Sequence, residues 1–381
     1  MTTGLAILGS TGSIGHQTLE VVRHLRGRFR IVGLAAGRNV TLLEEQAREF
    51  SPTLLWADRE SDYLRQKAAG LRARWAPMEE MACHPEVDIV VVATPGKAGL
   101  LPTLAAVRAG KVVALANKEV LVMAGHLVVA AARQHGADLR PVDSEHSAIW
   151  QCLWGEDRAS IARIILTGSG GPFRDLSLDD LARVTADEAL RHPTWQMGHK
   201  VTVDSATLLN KGLEAIEAHW LFGVPFDKIE VVLHRESIVH SLVEFRDGSI
   251  KAQLGMPDMR LPIQCALTYP QRLPAARVKR LDLARLGTLA FCQPEPRRFP
   301  CLGLALEAGR SGGTFPAAMA AADEVAVEHF LAGRIGFMDI PRAIEATLSA
   351  HQGTVEPSLE DVLAADAWAR HWAEDWLRAR A

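Results

Sequence analysis

The segment Leu5-Ala-Ile-Leu-Gly9-Ser-Thr-Gly12-Ser-Ile-Gly15 places a short apolar run directly before three glycines spaced three residues apart. A strand followed by a glycine-rich turn and a helix lets a pyrophosphate approach main-chain amides at the helix N-terminus. The commoner spacing is Gly-x-Gly-x-x-Gly, so a tight strand-to-helix turn without a ligand is the alternative. We interpret the segment as a dinucleotide site that opens an α/β sheet.

Further β-branched runs alternate with helical patterns up to Val142, which is typical of a parallel sheet covered by helices. The predicted strands are 5–8, 30–35, 54–56, 88–93, 111–115 and 138–142. The 88–93 run has no polar alternation, which indicates an interior strand that is buried on both faces. Residues 1–142 are therefore predicted to form a Rossmann-like domain with a parallel sheet.

The pattern changes after this first domain. A capped helix is predicted near 205–222, and the extended runs 229–233 and 237–245 are followed by Asp247-Gly248, a hairpin signal. These features predict an α+β domain over 143–270. Proline, arginine and leucine are frequent in 271–299, which indicates a connecting segment, and helical periodicity predicts a C-terminal α-helical bundle over 300–381.

Composition excludes several classes of protein. The 381 residues are 48% hydrophobic and 23% charged, with a formal net charge of −3, which is typical of a globular protein of more than one domain. No strong field recruits nucleic acid or an anionic membrane, so a phosphate ligand needs a local site. The five cysteines contain no Cys-x-x-Cys pair, and no leader or long apolar run is apparent. We expect a cytoplasmic protein with no membrane or nucleic-acid partner.

The end of the second predicted strand indicates which dinucleotide is bound. NAD-specific folds place an acidic residue there, and this chain instead has Gly37-Arg38-Asn39. A guanidinium can form charge-assisted bonds with a 2′-phosphate, which favours NADPH. The alternative is an ordinary solvated surface arginine.

Three carboxylates are candidate metal ligands. Asp143 and Glu145 follow the last predicted strand, and in an extended segment residues two apart would point the same way. Glu214 is the third candidate, because Asn210, Lys211 and Glu214 lie on neighbouring turns of one predicted helix. Carboxylates suit magnesium or manganese better than zinc. Taken singly, Asp143 and Glu145 could equally form a helix cap or a solvated loop, and a glutamate on a helix such as Glu214 is more often solvated than a ligand.

A second group of residues can form a phosphate-binding site, called the phosphate seat, which consists of Ser169, Ser205, Asn210 and Lys211. Hydroxyls, an amide and an ammonium match the needs of a dianion. The aromatic, glycine-bounded segment that contains His192 and Trp195 has the composition of a lid that excludes water. The alternatives are a simple glycine loop, a Ser205 that caps its helix, a Trp195 in the core or at a domain interface, and a His192 that is an ordinary surface histidine.

A series of separated motifs resembles the 1-deoxy-D-xylulose 5-phosphate reductoisomerase family from end to end. The matching stretches are the glycine motif, Leu115-Ala-Asn117-Lys118-Glu119, Val142-Asp-Ser-Glu-His146, the 167–172 loop, the 192–197 segment, Asp204-Ser-Ala-Thr-Leu-Leu-Asn-Lys-Gly-Leu-Glu214, Leu254-Gly-Met-Pro-Asp-Met-Arg260 and Gly312-Gly-Thr-Phe-Pro316. The sequence departs from the family's usual pattern in two places: Ala93-Thr-Pro-Gly-Lys97 replaces a more apolar turn, and Ala321-Ala-Asp-Glu324 replaces an asparagine-rich stretch.

The resemblance implies a V-shaped homodimer and an enzyme that uses NADPH with Mg²⁺, Mn²⁺ or Co²⁺. It implies that 1-deoxy-D-xylulose 5-phosphate is rearranged to an aldehyde and reduced to 2-C-methyl-D-erythritol 4-phosphate, in non-mevalonate isoprenoid synthesis. Two alternatives stay open from the sequence. One is a metal-independent NADPH dehydrogenase of the aspartate-semialdehyde or homoserine type, and the other is a non-enzymatic NADPH-sensing protein.

The resemblance also implies roles for individual residues. Asp143, Glu145 and Glu214 would hold the metal, and Lys118 and Ser144 would contact the oxygen-bearing end of the substrate. The phosphate seat would hold the phosphate under a loop that carries His192 and Trp195. The residues implied to line the cofactor are Thr11, Gly12, Ser13, Ile14, Gly37, Arg38, Asn39, Asn117, Glu119, Gly198 and Met259.

Overall fold

The computed structural model describes residues 2–58, 70–195, 197–275 and 278–380. The chain divides into two compact units. The first unit comprises Met1–Val120, Val128–Ser147 and Asp258–Lys279, and the second comprises Leu121–Leu127, Ala148–Pro257 and Arg280–Ala381. The finer division at 142, 270 and 299 stays a prediction.

The first unit contains a seven-stranded sheet in which every pair of neighbouring strands is parallel. Its strands are β1 (Thr3–Leu8), β2 (Phe29–Ala36), β3 (Leu54–Ala57), β4 (Arg74–Trp75), β5 (Ile89–Val92), β6 (Val112–Leu115) and β7 (Asp138–Pro141). Their order across the sheet is β4-β3-β2-β1-β5-β6-β7. The six predicted strands are confirmed, and the apolar run at 88–93 is an interior strand with all four residues buried. The two-residue strand β4 was not predicted, because it is too short to show a pattern.

The helices of the described residues are, in chain order, α1 (Ser13–His24), α2 (Val40–Phe50), α3 (Met78–Cys83), α4 (Leu100–Arg108), α5 (Lys118–His135), α6 (Ser144–Cys152), α7 (Leu178–Leu181), α8 (Ala186–Ala189), α9 (His199–Thr207), α10 (Leu209–Phe222), α11 (Arg260–Thr268), α12 (Leu283–Leu286), α13 (Pro300–Ser311), α14 (Phe315–Leu331), α15 (Asp339–Ala350) and α16 (Leu359–Arg378). Among these helices, none is both long enough and apolar enough to cross a membrane.

The core of the first unit is completed by a distant part of the chain. Leu5 and Ile7 of β1 lie in one buried apolar cluster with Ile263, Ala266 and Leu267 of α11. Helix α11 also packs against α1. In the sequence, more than a hundred residues of the second unit therefore lie between the last strand of the sheet and the helix that covers part of it.

The second unit contains a four-stranded sheet and a set of C-terminal helices. Its strands are β8 (Ile161–Gly168), β9 (Ile229–Leu233), β10 (Val239–Phe245) and β11 (Ile250–Leu254), in the order β11-β10-β8-β9. The predicted hairpin is confirmed, since β10 and β11 are antiparallel and Gly248 in the turn has a φ of 85°. Strand β8 was not predicted. Helices α13 to α16 form the C-terminal helical part, so the predicted fold class is confirmed.

Two local predictions were wrong. The helix predicted over 205–222 is two helices, because Leu208 has a φ of 60° and ends α9 before α10 begins. Ser205 consequently lies inside α9 and does not cap a helix. Asp143 and Glu145 do not share an extended segment, because α6 begins at Ser144 and places Glu145 in its first turn.

Candidate active site

The glycine turn of the first unit is shaped by close main-chain contacts. Gly9 has a φ of 96°, and a Cβ atom there would lie 2.4 Å from the carbonyl oxygen of Ala93. A Cβ atom on Gly15 would lie 2.3 Å from the carbonyl oxygen of Gly9. Both positions therefore require glycine, which brings the end of β1 close to the start of α1.

The N-terminus of α1 is open to an anion. Gly12 is the N-cap residue and is exposed, no side chain caps the helix, and its first turn has no acidic residue. Helix N-termini carry partial positive charge and bind phosphate groups when no carboxylate neutralises them. Thr11, Ser13 and Ile14 line this end of the helix at half-buried or exposed positions. These features fit the pyrophosphate of a dinucleotide.

The predicted 2′-phosphate residues follow β2. Gly37, Arg38 and Asn39 are all exposed, and the Asn39 side chain caps α2 by accepting the N–H of Leu42 at 3.1 Å. Arg38 thus has a solvent-facing guanidinium beside a helix N-terminus, where a phosphate would be attracted by both.

Asn117 is buried and its side chain connects two loops of the sheet edge. Its Nδ2 donates to the carbonyl oxygens of Thr94 at 2.6 Å and Gly96 at 2.8 Å, and its Oδ1 accepts the N–H of Val120 at 2.9 Å. All the donors and one acceptor site of this amide are therefore used within the protein. Its neighbour Glu119 is also buried, in the first turn of α5.

The remaining cofactor candidates lie in different units. Ile14 and Met259 both pack against the apolar cluster of the first unit. Gly198 is exposed in the second unit and is the N-cap residue of α9.

The carboxyl ends of β6 and β7 hold two carboxylates and an ammonium. Lys118 Nζ lies 3.0 Å from Oδ2 of Asp143, and the Ser144 hydroxyl donates to Oε2 of Glu145 at 2.6 Å. Asp143 and Glu145 each offer a carboxylate oxygen within 4.8 Å of the other. Two oxygen donors at this spacing suit one hard cation, and Lys118 offsets part of their mutual repulsion.

Glu214, the third candidate ligand, lies in the second unit. It is buried in α10, where Oε1 accepts from Asn210 Nδ2 and Oε2 lies 2.5 Å from Lys211 Nζ. The predicted alignment of Asn210, Lys211 and Glu214 on one helix is therefore confirmed. Joint coordination of one ion by Asp143, Glu145 and Glu214 stays a prediction.

The phosphate seat is assembled within the second unit by a glycine loop after β8. A Cβ atom on Gly168 would lie 3.1 Å from the side chain of Lys211, and one on Gly171 would lie 2.7 Å from the carbonyl oxygen of Ser205. The loop that carries Ser169 therefore lies directly against both α9 and α10.

His192 is bound to the same loop. Its Nε2 lies 3.0 Å from the Ser169 hydroxyl, and its Nδ1 accepts the N–H groups of Thr194 at 3.1 Å and Trp195 at 2.9 Å. Burial, together with the charges of Arg174 and Lys211, lowers the pKa of His192 to about 4. The imidazole is therefore neutral at pH 7. The Trp195 ring lies 6.2 Å from the ring of His240.

Arg174 is a residue near this site that sequence reasoning missed. Its Nη1 donates to the main-chain oxygen of Ser169 at 2.9 Å. The signal available in the sequence was a basic residue directly after the glycine loop, in Gly171-Pro-Phe-Arg174.

The sequence matches three family models. The model described as 1-deoxy-D-xylulose 5-phosphate reductoisomerase matches residues 5–125, its C-terminal domain matches 139–222, and the DXP reductoisomerase C-terminal domain matches 254–372. Among curated relatives, the 1-deoxy-D-xylulose 5-phosphate reductoisomerase of Pelotomaculum thermopropionicum is 54% identical over 98% of both chains. That of Heliobacterium modesticaldum is 55% identical over 97% of this chain and 96% of the relative.

Solved structures of the same name share the fold. The Zymomonas mobilis enzyme in complex with NADPH has a TM-score of 0.92 and 44% identity, with 99% of each chain covered. A DOX-P reductoisomerase in complex with NADPH, fosmidomycin and magnesium has a TM-score of 0.94 and 42% identity, with 99% of this chain and 98% of that chain covered. From these matches along its whole length, the chain belongs to the 1-deoxy-D-xylulose 5-phosphate reductoisomerase family.

Proposed function

We propose that this chain converts 1-deoxy-D-xylulose 5-phosphate to 2-C-methyl-D-erythritol 4-phosphate with NADPH and a divalent metal ion, in non-mevalonate isoprenoid biosynthesis. The observation that carries the proposal is the 54% identity to a reductoisomerase over 98% of both chains. A relative of 42% identity binds NADPH, fosmidomycin and magnesium together, which supports the same cofactors here. Membership of this family does not favour the metal-independent dehydrogenase or the NADPH sensor.

Asp143, Glu145 and Glu214 are proposed to hold Mg²⁺, Mn²⁺ or Co²⁺. The first two carboxylates have oxygens within 4.8 Å of each other, which supports this, as does the oxygen-only donor set. When bound, the ion would supply a Lewis acid for the oxygens of the substrate. Lys118 and Ser144 are proposed to contact these oxygens, because Lys118 lies 3.0 Å from Asp143 and can hold positive charge beside the reacting end.

The opposite end of the substrate is proposed to bind in the phosphate seat. Lys211 supplies an ammonium, Asn210 an amide, and Ser169 and Ser205 hydroxyls, and the contacts of Gly168 and Gly171 hold the loop against both helices. His192 and Trp195 are proposed to close over the bound substrate and exclude water, which strengthens electrostatic interactions within the site.

The cofactor is proposed to bind along the first unit, with its pyrophosphate at Thr11 to Ile14 and its 2′-phosphate at Gly37 to Asn39. Support comes from the uncapped N-terminus of α1 and the exposed guanidinium of Arg38. Asn117, Glu119, Gly198 and Met259 are proposed to line the nicotinamide side. Asn117 would act there through the loop it fixes, since its amide groups bond within the protein.

A homodimer is also proposed. Strand β11 lies at the edge of its sheet and is mostly exposed, with Ile250 and Leu254 among the large exposed apolar residues. An exposed apolar edge strand is a template for pairing with a second copy. Size-exclusion chromatography with light scattering measures the state, and Ile250→Lys is expected to shift it toward monomer.

A cytoplasmic location is proposed from the cysteines. All five lie in described parts of the chain and are free thiols. Burial raises the pKa of Cys152 and of Cys265 to about 11, so these thiols are unreactive at neutral pH. Free thiols of this kind are typical of a reducing compartment.

One assay tests the proposed activity. Purified protein with NADPH, Mg²⁺ and 1-deoxy-D-xylulose 5-phosphate is expected to oxidise NADPH and yield 2-C-methyl-D-erythritol 4-phosphate, identified by mass spectrometry. Chelation with EDTA is expected to stop turnover, and added Mg²⁺ to restore it. Full turnover after chelation would support the dehydrogenase alternative, and NADPH binding without product would support the sensor.

A further inference from the structure

The hydrogen bonds of Ser169 define what its hydroxyl can offer a ligand. His192 Nδ1 accepts two main-chain N–H groups, so the ring proton lies on Nε2. Nε2 therefore donates to the Ser169 oxygen at 3.0 Å, and the N–H of Gly171 donates to the same oxygen at 3.2 Å. With both lone pairs engaged, Ser169 has its own proton left to donate.

The main chain of this loop is held by two guanidinium groups. Arg174 Nη1 donates to the carbonyl oxygen of Ser169 at 2.9 Å. Arg298 Nη2 in turn donates to the carbonyl oxygen of Arg174. A Cβ atom on Gly170 would lie 2.9 Å from Cβ of Arg174, so the glycine allows the arginine to fold back over the loop. These contacts fix the orientation of the loop through its main-chain carbonyl oxygens.

The charge of Arg174 is only weakly matched within the described residues. Its ion pair is with Asp175, at 3.8 Å, and the Asp175 carboxylate also forms a two-pronged ion pair with Arg235. Arg174 and Lys211 are the two cations that disfavour a proton on His192. Two positive charges thus act on one imidazole at the edge of the phosphate seat.

We propose that Arg174 is a positioning residue of the phosphate seat: its guanidinium fixes the Ser169 main chain so that the Ser169 hydroxyl donates to an oxygen of a phosphate or phosphonate dianion. Its charge adds to that of Lys211 in attracting the dianion. The inference rests on the proposed function for the identity of the substrate, and it assigns Arg174 no contact with reacting atoms.

The test compares two variants. Arg174→Met removes both the guanidinium donors and the positive charge, whereas Arg174→Lys keeps the positive charge. Arg183→Met is the matched control, because Arg183 is an exposed arginine of the same unit and forms an ion pair with Asp180, three residues away on the surface. Steady-state kinetics are measured for 1-deoxy-D-xylulose 5-phosphate and for NADPH. Circular dichroism verifies that each variant is folded.

Arg174→Met is expected to raise the substrate KM about tenfold or more, as expected for loss of a charge-assisted contact network, and to change kcat by less than about threefold. Arg174→Lys is expected to give a smaller rise, and Arg183→Met none. An unchanged substrate KM in folded Arg174→Met would overturn the inference. Equal losses in kcat and in NADPH affinity would also overturn it, because they indicate a general structural role.

NMR of His192 gives a readout that does not depend on turnover. The pKa of the imidazole is expected to rise in Arg174→Met and to stay low in Arg174→Lys, since only the first variant removes a cation. Inorganic phosphate is the binding probe, and Arg174→Met is expected to need about tenfold more phosphate to shift the His192 resonances. If wild-type protein binds phosphate in this way but does not turn over the sugar phosphate, the proposed function fails and the role of Arg174 stands. If the His192 pKa and the phosphate titration are the same in both proteins, the role of Arg174 fails.

Discussion

Nζ of Lys211 lies 2.5 Å from Oε2 of Glu214, one turn along α10, and both side chains are at least nine-tenths buried. Asn210 donates to the other carboxylate oxygen. A buried carboxylate is stable only if its lost hydration is replaced, and here one helix supplies an ammonium and an amide for that purpose. The carboxylate is thus held in one rotamer before any ligand arrives.

Glu214→Gln is expected to lower turnover at limiting metal by at least about a hundredfold, because an amide is a poor ligand for a hard cation. NADPH affinity, measured by fluorescence titration, is expected to stay within about twofold, which is below about 0.5 kcal/mol. The control is Glu345→Gln, an exposed glutamate of α15. Normal kinetics of Glu214→Gln at limiting metal would rule out its role as a ligand.

Arg38→Asp is expected to weaken NADPH by about tenfold to a hundredfold and NADH far less, because the guanidinium is proposed to pair with the 2′-phosphate. Arg108→Asp makes the same change of charge at an exposed site of α4 and serves as the control. Dissociation constants from fluorescence titration measure both. Equal weakening of the two dinucleotides would remove the phosphate role.

Asn117→Ala is expected to lower the free energy of unfolding by about 2 to 4 kcal/mol, since it removes a helix cap and leaves two carbonyl oxygens without their donor. Asn117→Asp keeps the cap on Val120 but loses the bonds to Thr94 and Gly96. Comparison of the two variants therefore separates the contribution of the helix cap from that of the two bonds to the loop. Urea denaturation measures both, and a stable Asn117→Ala protein would contradict the assigned contacts.

Gly9→Ala separates steric overlap from backbone strain. The φ of Gly9 is 96° and a Cβ atom would lie 2.4 Å from the carbonyl oxygen of Ala93, whereas Gly27 has a φ of 80° and nothing within 4 Å. Gly27→Ala is expected to cost about 1 kcal/mol, and Gly9→Ala more than about 3 kcal/mol with loss of NADPH binding. Thermal unfolding with and without NADPH measures both. Similar costs for the two variants would show that overlap at Gly9 is relieved.

His192 is expected to remain neutral, with its proton on Nε2, from pH 7 down to about pH 5, since burial and the charges of Arg174 and Lys211 lower its pKa to about 4. Between the ordinary histidine pKa of about 6.5 and the lowered value, the unfolded chain binds a proton that the folded chain does not, so stability falls as pH falls. Heteronuclear NMR of the imidazole measures the tautomer. His192→Gln is expected to flatten the acid side of the stability profile, and an unchanged profile would contradict the lowered pKa.

Much of the first unit could be predicted from sequence because each strand of a buried parallel sheet is a compact apolar run. The strand at 89–92, for example, has four buried residues in succession. Strand β8 was missed because its sequence, Ile-Ala-Arg-Ile-Ile-Leu-Thr-Gly, adjoins a glycine-rich loop that dominated the pattern. Leu208 was unpredictable for another reason, since a leucine with a φ of 60° breaks a helix only under tertiary constraint.

Site residues were likewise predictable from sequence only where their arrangement depends on local structure. The cluster of Asn210, Lys211 and Glu214 followed from helical spacing, which is a local property. Arg174 and the internal bonds of Asn117 could not be found from spacing, because their partners are main-chain oxygens whose positions depend on loop conformation. For Asp143 and Glu145 the start of α6 at Ser144 replaced the predicted extended geometry.

The placement of α11 in the core of the first unit has a consequence for protein synthesis. Residues 1–147 leave the ribosome long before Ile263, Ala266 and Leu267 are translated, so the nascent sheet has an uncovered apolar surface during that interval. At translation rates of about 5 to 20 residues per second, roughly ten seconds of chain growth separate the two events. Chains that are truncated before α11 are therefore expected to depend on chaperones during expression more than the full chain does. A chain released at residue 255 is expected to aggregate.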